Sequence, residues 1–173
     1  MATRPSLPYY APAELLPAPL PTVAEILAAK RISSLYKTPV VRIGKHYAVK
    51  YGGDVRMSLQ EGENQLFVQQ STSIPVPKVY AIFHDEATKI NFLVMEYIDG
   101  ENLAAVWQKL DATKQRAFAL TVRGYLEELR SIPSPGYYGG IWGQLIPDYN
   151  FRDQRGVPHT DPELARPHET EAQ

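Results

Sequence analysis

Cysteine is absent from the 173-residue chain. That excludes a disulfide scaffold, a thiolate metal site and a thiol nucleophile, and it sets a reducing, cytoplasmic location as the expectation. Long apolar runs are missing as well: none approaches the ~18 residues that a membrane span needs. Pro5, Pro8 and Pro12 break up the N-terminus, so the uninterrupted apolar stretch of a signal peptide is not there. Neither sign of charge dominates, with 18 Lys and Arg against 19 Asp and Glu and a net charge of −1. A nucleic-acid reader usually carries a basic excess, so neither nucleic acid nor membrane is an expected partner. The histidines, His46, His84, His159 and His168, lack a metal-ligating spacing, and no Gly-x-Ser-x-Gly nucleophile elbow occurs. What remains is 44% hydrophobic and 21% charged. Such a composition belongs to a globular chain, able to bury roughly 70% of its unfolded surface.

Six of the 15 prolines fall within the first 21 residues. Their spacing predicts an extended, partly polyproline, flexible leader over 1–21. Thr22-Val23-Ala24-Glu25 is a capping-box pattern that opens a short helix, with Val23, Ile26 and Leu27 at helical spacing and Lys30 and Arg31 in its last turn.

Val40-Val41-Arg42-Ile43 and His46-Tyr47-Ala48-Val49-Lys50 read as two strands joined by a type II′ turn at Gly44-Lys45. Strand alternation puts Ala48 and Lys50 on one face. There the small Ala48 leaves room for a flat ring and Lys50 can reach a phosphate, although a solvated lysine at a strand end has the same signature. Met57 to Gln70 is helical in character and carries Glu61 and Glu63. Ser73-Ile74-Pro75-Val76-Pro77 ends it. Two further strands follow, Lys78 to His84 and Ile90 to Glu96, separated by a polar turn. Met95-Glu96-Tyr97-Ile98-Asp99-Gly100 then leads into a helix.

This order, two strands, a lysine, a glutamate-bearing helix, two strands and a connector, resembles the N-lobe of the aminoglycoside phosphotransferase/choline kinase-like superfamily, in particular its fungal branch. The resemblance rests on Tyr47-Ala48-Val49-Lys50, on Glu61 to Val68, on Thr72 to Val79 and on Phe92 to Gly100, and continues loosely through Leu129 to Pro133. It implies an α+β, protein kinase-like N-lobe over 22–98 and the first helices of an incomplete helical C-lobe over 99–152, with a polar, flexible tail over 153–173. It also implies ATP as cofactor, a small-molecule hydroxyl as acceptor and Mg²⁺ as the family's metal. By the same resemblance Lys50 would contact the nucleotide phosphates and Glu61 would orient it, with Glu63 as the alternate. The Glu96 carbonyl and the Ile98 N–H would meet adenine, and Val41, Ala48 and Met95 would wall the ring unless they are ordinary core. One departure from protein kinases, which carry a Gly-x-Gly-x-x-Gly run in the phosphate-covering loop, is that Leu35 to Arg42 holds no glycine and Pro39 lacks a donor; the phosphotransferase branch often lacks that run.

Leu103, Val106, Trp107 and Leu110 form one helical stripe. Asp111 can cap a second helix to Arg130, with Phe118, Val122, Tyr125, Leu126 and Leu129 along one side. These helices are expected to expose apolar surface and to self-associate. The Gly-, Pro- and aromatic-rich stretch Ile132 to Gly143 reads as a loop in which Tyr137, Tyr138 and Trp142 are anchors rather than substrate contacts. Phosphoryl transfer in this superfamily uses a His-Gly-Asp…Asn loop and a later Asp-Trp-Glu-like element. Neither is present: His159-Thr160-Asp161 is followed by Pro162-Glu163 with no asparagine at the required distance. The expectation is therefore a chain truncated before its catalytic loop, with no catalytic residue and no metal ligand. The alternative is a catalytically dead module that holds nucleotide or protein.

Overall fold

The computed structural model describes residues 3–32, 38–54, 57–134, 136, 137 and 140–144. Tyr138, His159, Asp161, the predicted tail and part of the glycine-free loop lie outside them. The described chain is α+β. Strands β1 (Tyr9–Tyr10), β2 (Val40–Ile43), β3 (Tyr47–Gly52), β4 (Val79–Asp85) and β5 (Ile90–Glu96) form one antiparallel sheet in the order β1-β4-β5-β3-β2. Helices α1 (Val23–Ala28) and α2 (Leu59–Ser71) belong to this unit, as do α3 (Leu103–Val106) and most of α4 (Ala112–Ser131). A second unit begins at residue 130. Within it the Tyr137 hydroxyl donates to the Ile141 carbonyl at 2.7 Å, and the Gly140 N–H to the Gln144 carbonyl at 2.8 Å.

Two apolar clusters explain why the central strands are buried on both faces. Tyr47, Val49 and Tyr51 of β3 join Phe92, Val94, Tyr80, Val41 and Ile26 in one cluster. Ile82, Leu93 and Val79 join Leu66 and Met57 in the other, beneath α2. Helix α2 starts at Ser58, whose hydroxyl accepts from the Gln60 N–H. Its approach to the sheet is set by Gly62: a Cβ there would sit 2.9 Å from Ile82 Cγ1 and 3.1 Å from Leu93 Cδ1. Behind it, Asn91 is 2% exposed and donates to the Asp54 carboxylate at 2.7 Å and the Met57 carbonyl at 2.8 Å. Its own oxygen faces His84 Nδ1 at 2.7 Å, so that ring nitrogen carries the proton.

The leader expectation is corrected. Pro8 and Pro12 flank Tyr9 and Tyr10 without entering the strand, so β1 pairs with β4 at the sheet edge, where missing N–H donors cost nothing. Residues 13–15 form a 3-10 turn, Ala11 is buried, and Leu16, Ala18 and Leu20 pack on the first cluster. The Tyr47 hydroxyl donates to the Ala18 carbonyl, and burial of its ring pushes the Tyr47 phenol above its usual value.

The Thr22–Glu25 capping box is present. Helix α1 nevertheless stops at Ala28, because Ala29 turns to extended backbone (φ −75°, ψ 149°). Arg31 is thereby released from the helix to bridge Val41, and the Ile32 N–H donates to the Val40 carbonyl, covering the outer edge of β2. The β2–β3 turn has three residues rather than two. Gly44 takes φ +58°, and Ile43 pairs with Tyr47, which leaves His46 in the turn. Strand β3 also runs past Lys50 to Gly52. The predicted helix from Leu103 to Leu110 is split into α3 and a 3-10 turn over 107–109.

Candidate functional site on the helix face of the sheet

Lys50 lies in β3 with its side chain 23% exposed, on the face that carries α2. Its Nζ donates to both Glu61 oxygens at 2.6 Å. The pair spans strand and helix because alternation points Lys50 to the α2 side and Glu61 sits in the first turn of that helix. Glu63, the alternate partner, goes elsewhere. It is 2% exposed and accepts from Arg4 Nε at 2.9 Å. Two residues along a helix turn the side chain by about 200°, which separates the two carboxylates.

Ala48 is 7% exposed, pairs with Met95 in register and shares the Lys50 face. Met95 packs against the α2-side cluster, and Gln65 Nε2 approaches its sulfur at 3.8 Å. These three predicted residues, Lys50, Ala48 and Met95, come together with Glu61. Val41 does not. It pairs directly with Val49, and directly opposed residues share a face, so it is fully buried on the other side of the sheet against Ile26. Its assignment as a wall of the same site is corrected: the β2 residues on the Lys50 face are Val40 and Arg42.

Glu96 closes β5. Its N–H donates to the Lys78 carbonyl at 2.8 Å, and its carboxylate accepts from the Lys78 N–H at 3.2 Å. That carboxylate also adds to burial in holding the Tyr80 phenol above its ordinary value. Ile98 lies beyond the strand, 58% exposed, in a connector without regular structure. The connector is fastened at Tyr97, whose N–H donates to the His46 carbonyl at 2.8 Å and whose ring carries the Arg42 guanidinium 3.9 Å from its centroid.

Three residues at or behind this face escaped sequence reasoning. Arg42 was legible in principle from β2–β3 pairing, since it opposes Ala48. Gln65 donates to the Pro77 carbonyl at 2.7 Å, and Arg4 is the partner of Glu63. No local pattern announces either contact. Chemically, the face offers one ammonium held by a carboxylate, a small apolar floor at Ala48 and a second cation at Arg42. Among the described residues no cluster of three or more His, Asp or Glu could hold a metal ion, and no helix is long and apolar enough to cross a membrane. Set against protein-family models, curated proteins and solved structures, the chain has no match.

Proposed function

We propose that this chain is the nucleotide-holding, kinase-like lobe of an aminoglycoside phosphotransferase-like protein, and that it does not itself transfer phosphate. The observation that carries the reading is the bidentate Lys50–Glu61 pair at 2.6 Å, set between β3 and α2 beside Ala48. A lysine fixed in this way presents a point charge to the α/β-phosphates of ATP, while the carboxylate fixes its direction. Ala48 and Met95 would lie against the ring. The Glu96 carbonyl and the Ile98 N–H would meet the adenine edge through the backbone, which leaves their side chains unconstrained. In the intact family, Mg²⁺ neutralises phosphate charge and ATP supplies the phosphoryl group for a small-molecule hydroxyl. The His-Gly-Asp…Asn and Asp-Trp-Glu elements that would hold the metal and the acceptor do not occur in this sequence, so binding is weak and turnover is nil.

A thermal-shift titration with Mg-ATP tests this. Near a millimolar Kd, equal ligand raises Tm by about 1–2 °C in the native chain, and Lys50→Met abolishes the rise. No shift at millimolar nucleotide overturns nucleotide binding, and Lys50-dependent phosphate transfer overturns the claim of inactivity. A second reading, a module that binds protein by self-association, draws on α4. There Phe118, Leu126 and Leu129 are 39%, 46% and 37% exposed. Sedimentation velocity of a concentration series checks it, and a monomer throughout counts against it.

A further inference from the structure

The proline-rich segment grips the lobe at three places. Arg4 reaches α2 at Glu63 on one face. Tyr9 and Tyr10 then extend the sheet at β4, and the Ala11 N–H donates to the Tyr80 carbonyl at 2.8 Å. Beyond that, Leu16, Ala18 and Leu20 lie against the opposite face. Fewer than twenty residues thus run from the helix side of the sheet, around its edge, to the side that holds Ile26.

The two halves of α2 are held differently. Its C-terminal half is tied to the chain that enters β4: Gln65 donates to the Pro77 carbonyl at 2.7 Å, and Gln69 Oε1 accepts from the Val79 N–H at 2.9 Å. Its N-terminal half has the Ser58 cap and the close approach at Gly62, and its ionic tethers include Lys50 on Glu61 and Arg4 on Glu63. Those two cations hold one turn from opposite sides, about 200° apart around the helix.

We propose that Arg4 is a positioning residue for Glu61. By anchoring Glu63 through the proline-rich clasp, it fixes the first turns of α2 and so holds the carboxylate against Lys50. The consequence for nucleotide rests on the function proposed above; the positioning of α2 does not. Hydrogen exchange on the full chain tests it. In Arg4→Gln, amides of 59–64 exchange about three- to tenfold faster, the loss of one partly exposed tether, while 66–71 and 90–96 are unchanged. Arg4→Lys, which keeps the charge, restores protection. No change in 59–64, or an equal rise across 59–71 and 79–96, overturns the proposal, the second outcome marking global destabilisation. With Mg-ATP, a native thermal shift that shrinks in Arg4→Gln supports it, and one that stays the same overturns it. If the native chain shows no shift while 59–64 responds as described, nucleotide binding falls and the positioning role stands.

Discussion

Strands β3, β4 and β5 bury side chains on both faces, whereas none of the 20 residues of α4 is buried. The sheet lies between two covers: α2 on one face, α1 and the proline-rich clasp on the other. Helix α4 carries an equally regular apolar stripe, and Trp107 meets Phe118 edge-on at 6.0 Å. Near its C-terminal end, Glu128 accepts from the Ser73 hydroxyl at 3.0 Å, a polar contact with the stretch that follows α2. A periodic pattern is enough to form a helix. Burial needs an opposing surface as well, and stability follows burial.

Identical substitutions in the two regions should therefore diverge. Phe92 is fully buried, and Phe92→Ala is expected to cost about 3–5 kcal/mol in urea unfolding. Phe118→Ala, on the exposed stripe, should cost less than about 1 kcal/mol. Comparable losses would mean that α4 packs as tightly as the sheet. Asn91→Ala comes next, at about 1–3 kcal/mol, because it strands the Met57 carbonyl without its amide donor; a neutral result would show that water replaces the amide.

The glycines give the sharpest contrast. Gly62→Ala drives a methyl into Ile82 and Leu93, and the same denaturation series should show a net loss of about 1–2 kcal/mol despite better helix propensity. Gly124→Ala in α4 meets nothing within 4 Å and should gain about 0.5–1 kcal/mol. If both stabilise, α2 does not pack closely on the sheet.

The smallest effect is acid dependence. Glu25 is held below its usual 4.5 by the Thr22 N–H and then by its hydroxyl, and Asp85 below its usual 3.8 by the Thr88 hydroxyl and then its N–H. Both folded values lie under the unfolded ones. Their contribution is complete above about pH 4.5 and is lost as pH falls through the lower folded values. Circular dichroism melts between pH 5 and 3 should show a shallow fall in Tm that Thr22→Ala reduces. An undiminished fall would move the acid sensitivity elsewhere.

Several elements were legible because their signals are local. The Thr22–Glu25 box, the proline-bearing extended stretch that ends α2, the β4–β5 hairpin and the long helix after Asp111 all follow from neighbouring residues. No local signal pairs Lys50 with Glu61: alternation and the first turn of α2 bring them together only once helix and sheet have met. Val41 was misplaced since alternation says which residues share a face, not which face of β2 meets Ala48. That depended on the turn length at Gly44, where one residue more or less flips every side chain. The leader was misread because proline spacing excludes a central strand but permits a two-residue edge.

By itself, then, the sequence determined the capping box that opens α1, the presence of α2 and α4, the four main strands and the absence of thiol chemistry. Those depend on composition, spacing and caps within a few residues. Only the tertiary structure decided that Arg4 takes Glu63 across 59 residues, that Lys50 closes on Glu61, and that α4 stays uncovered while the sheet is enclosed. Long-range partners are selected by how faces meet and by which charges are left to compensate once they do, and no window of sequence contains that choice.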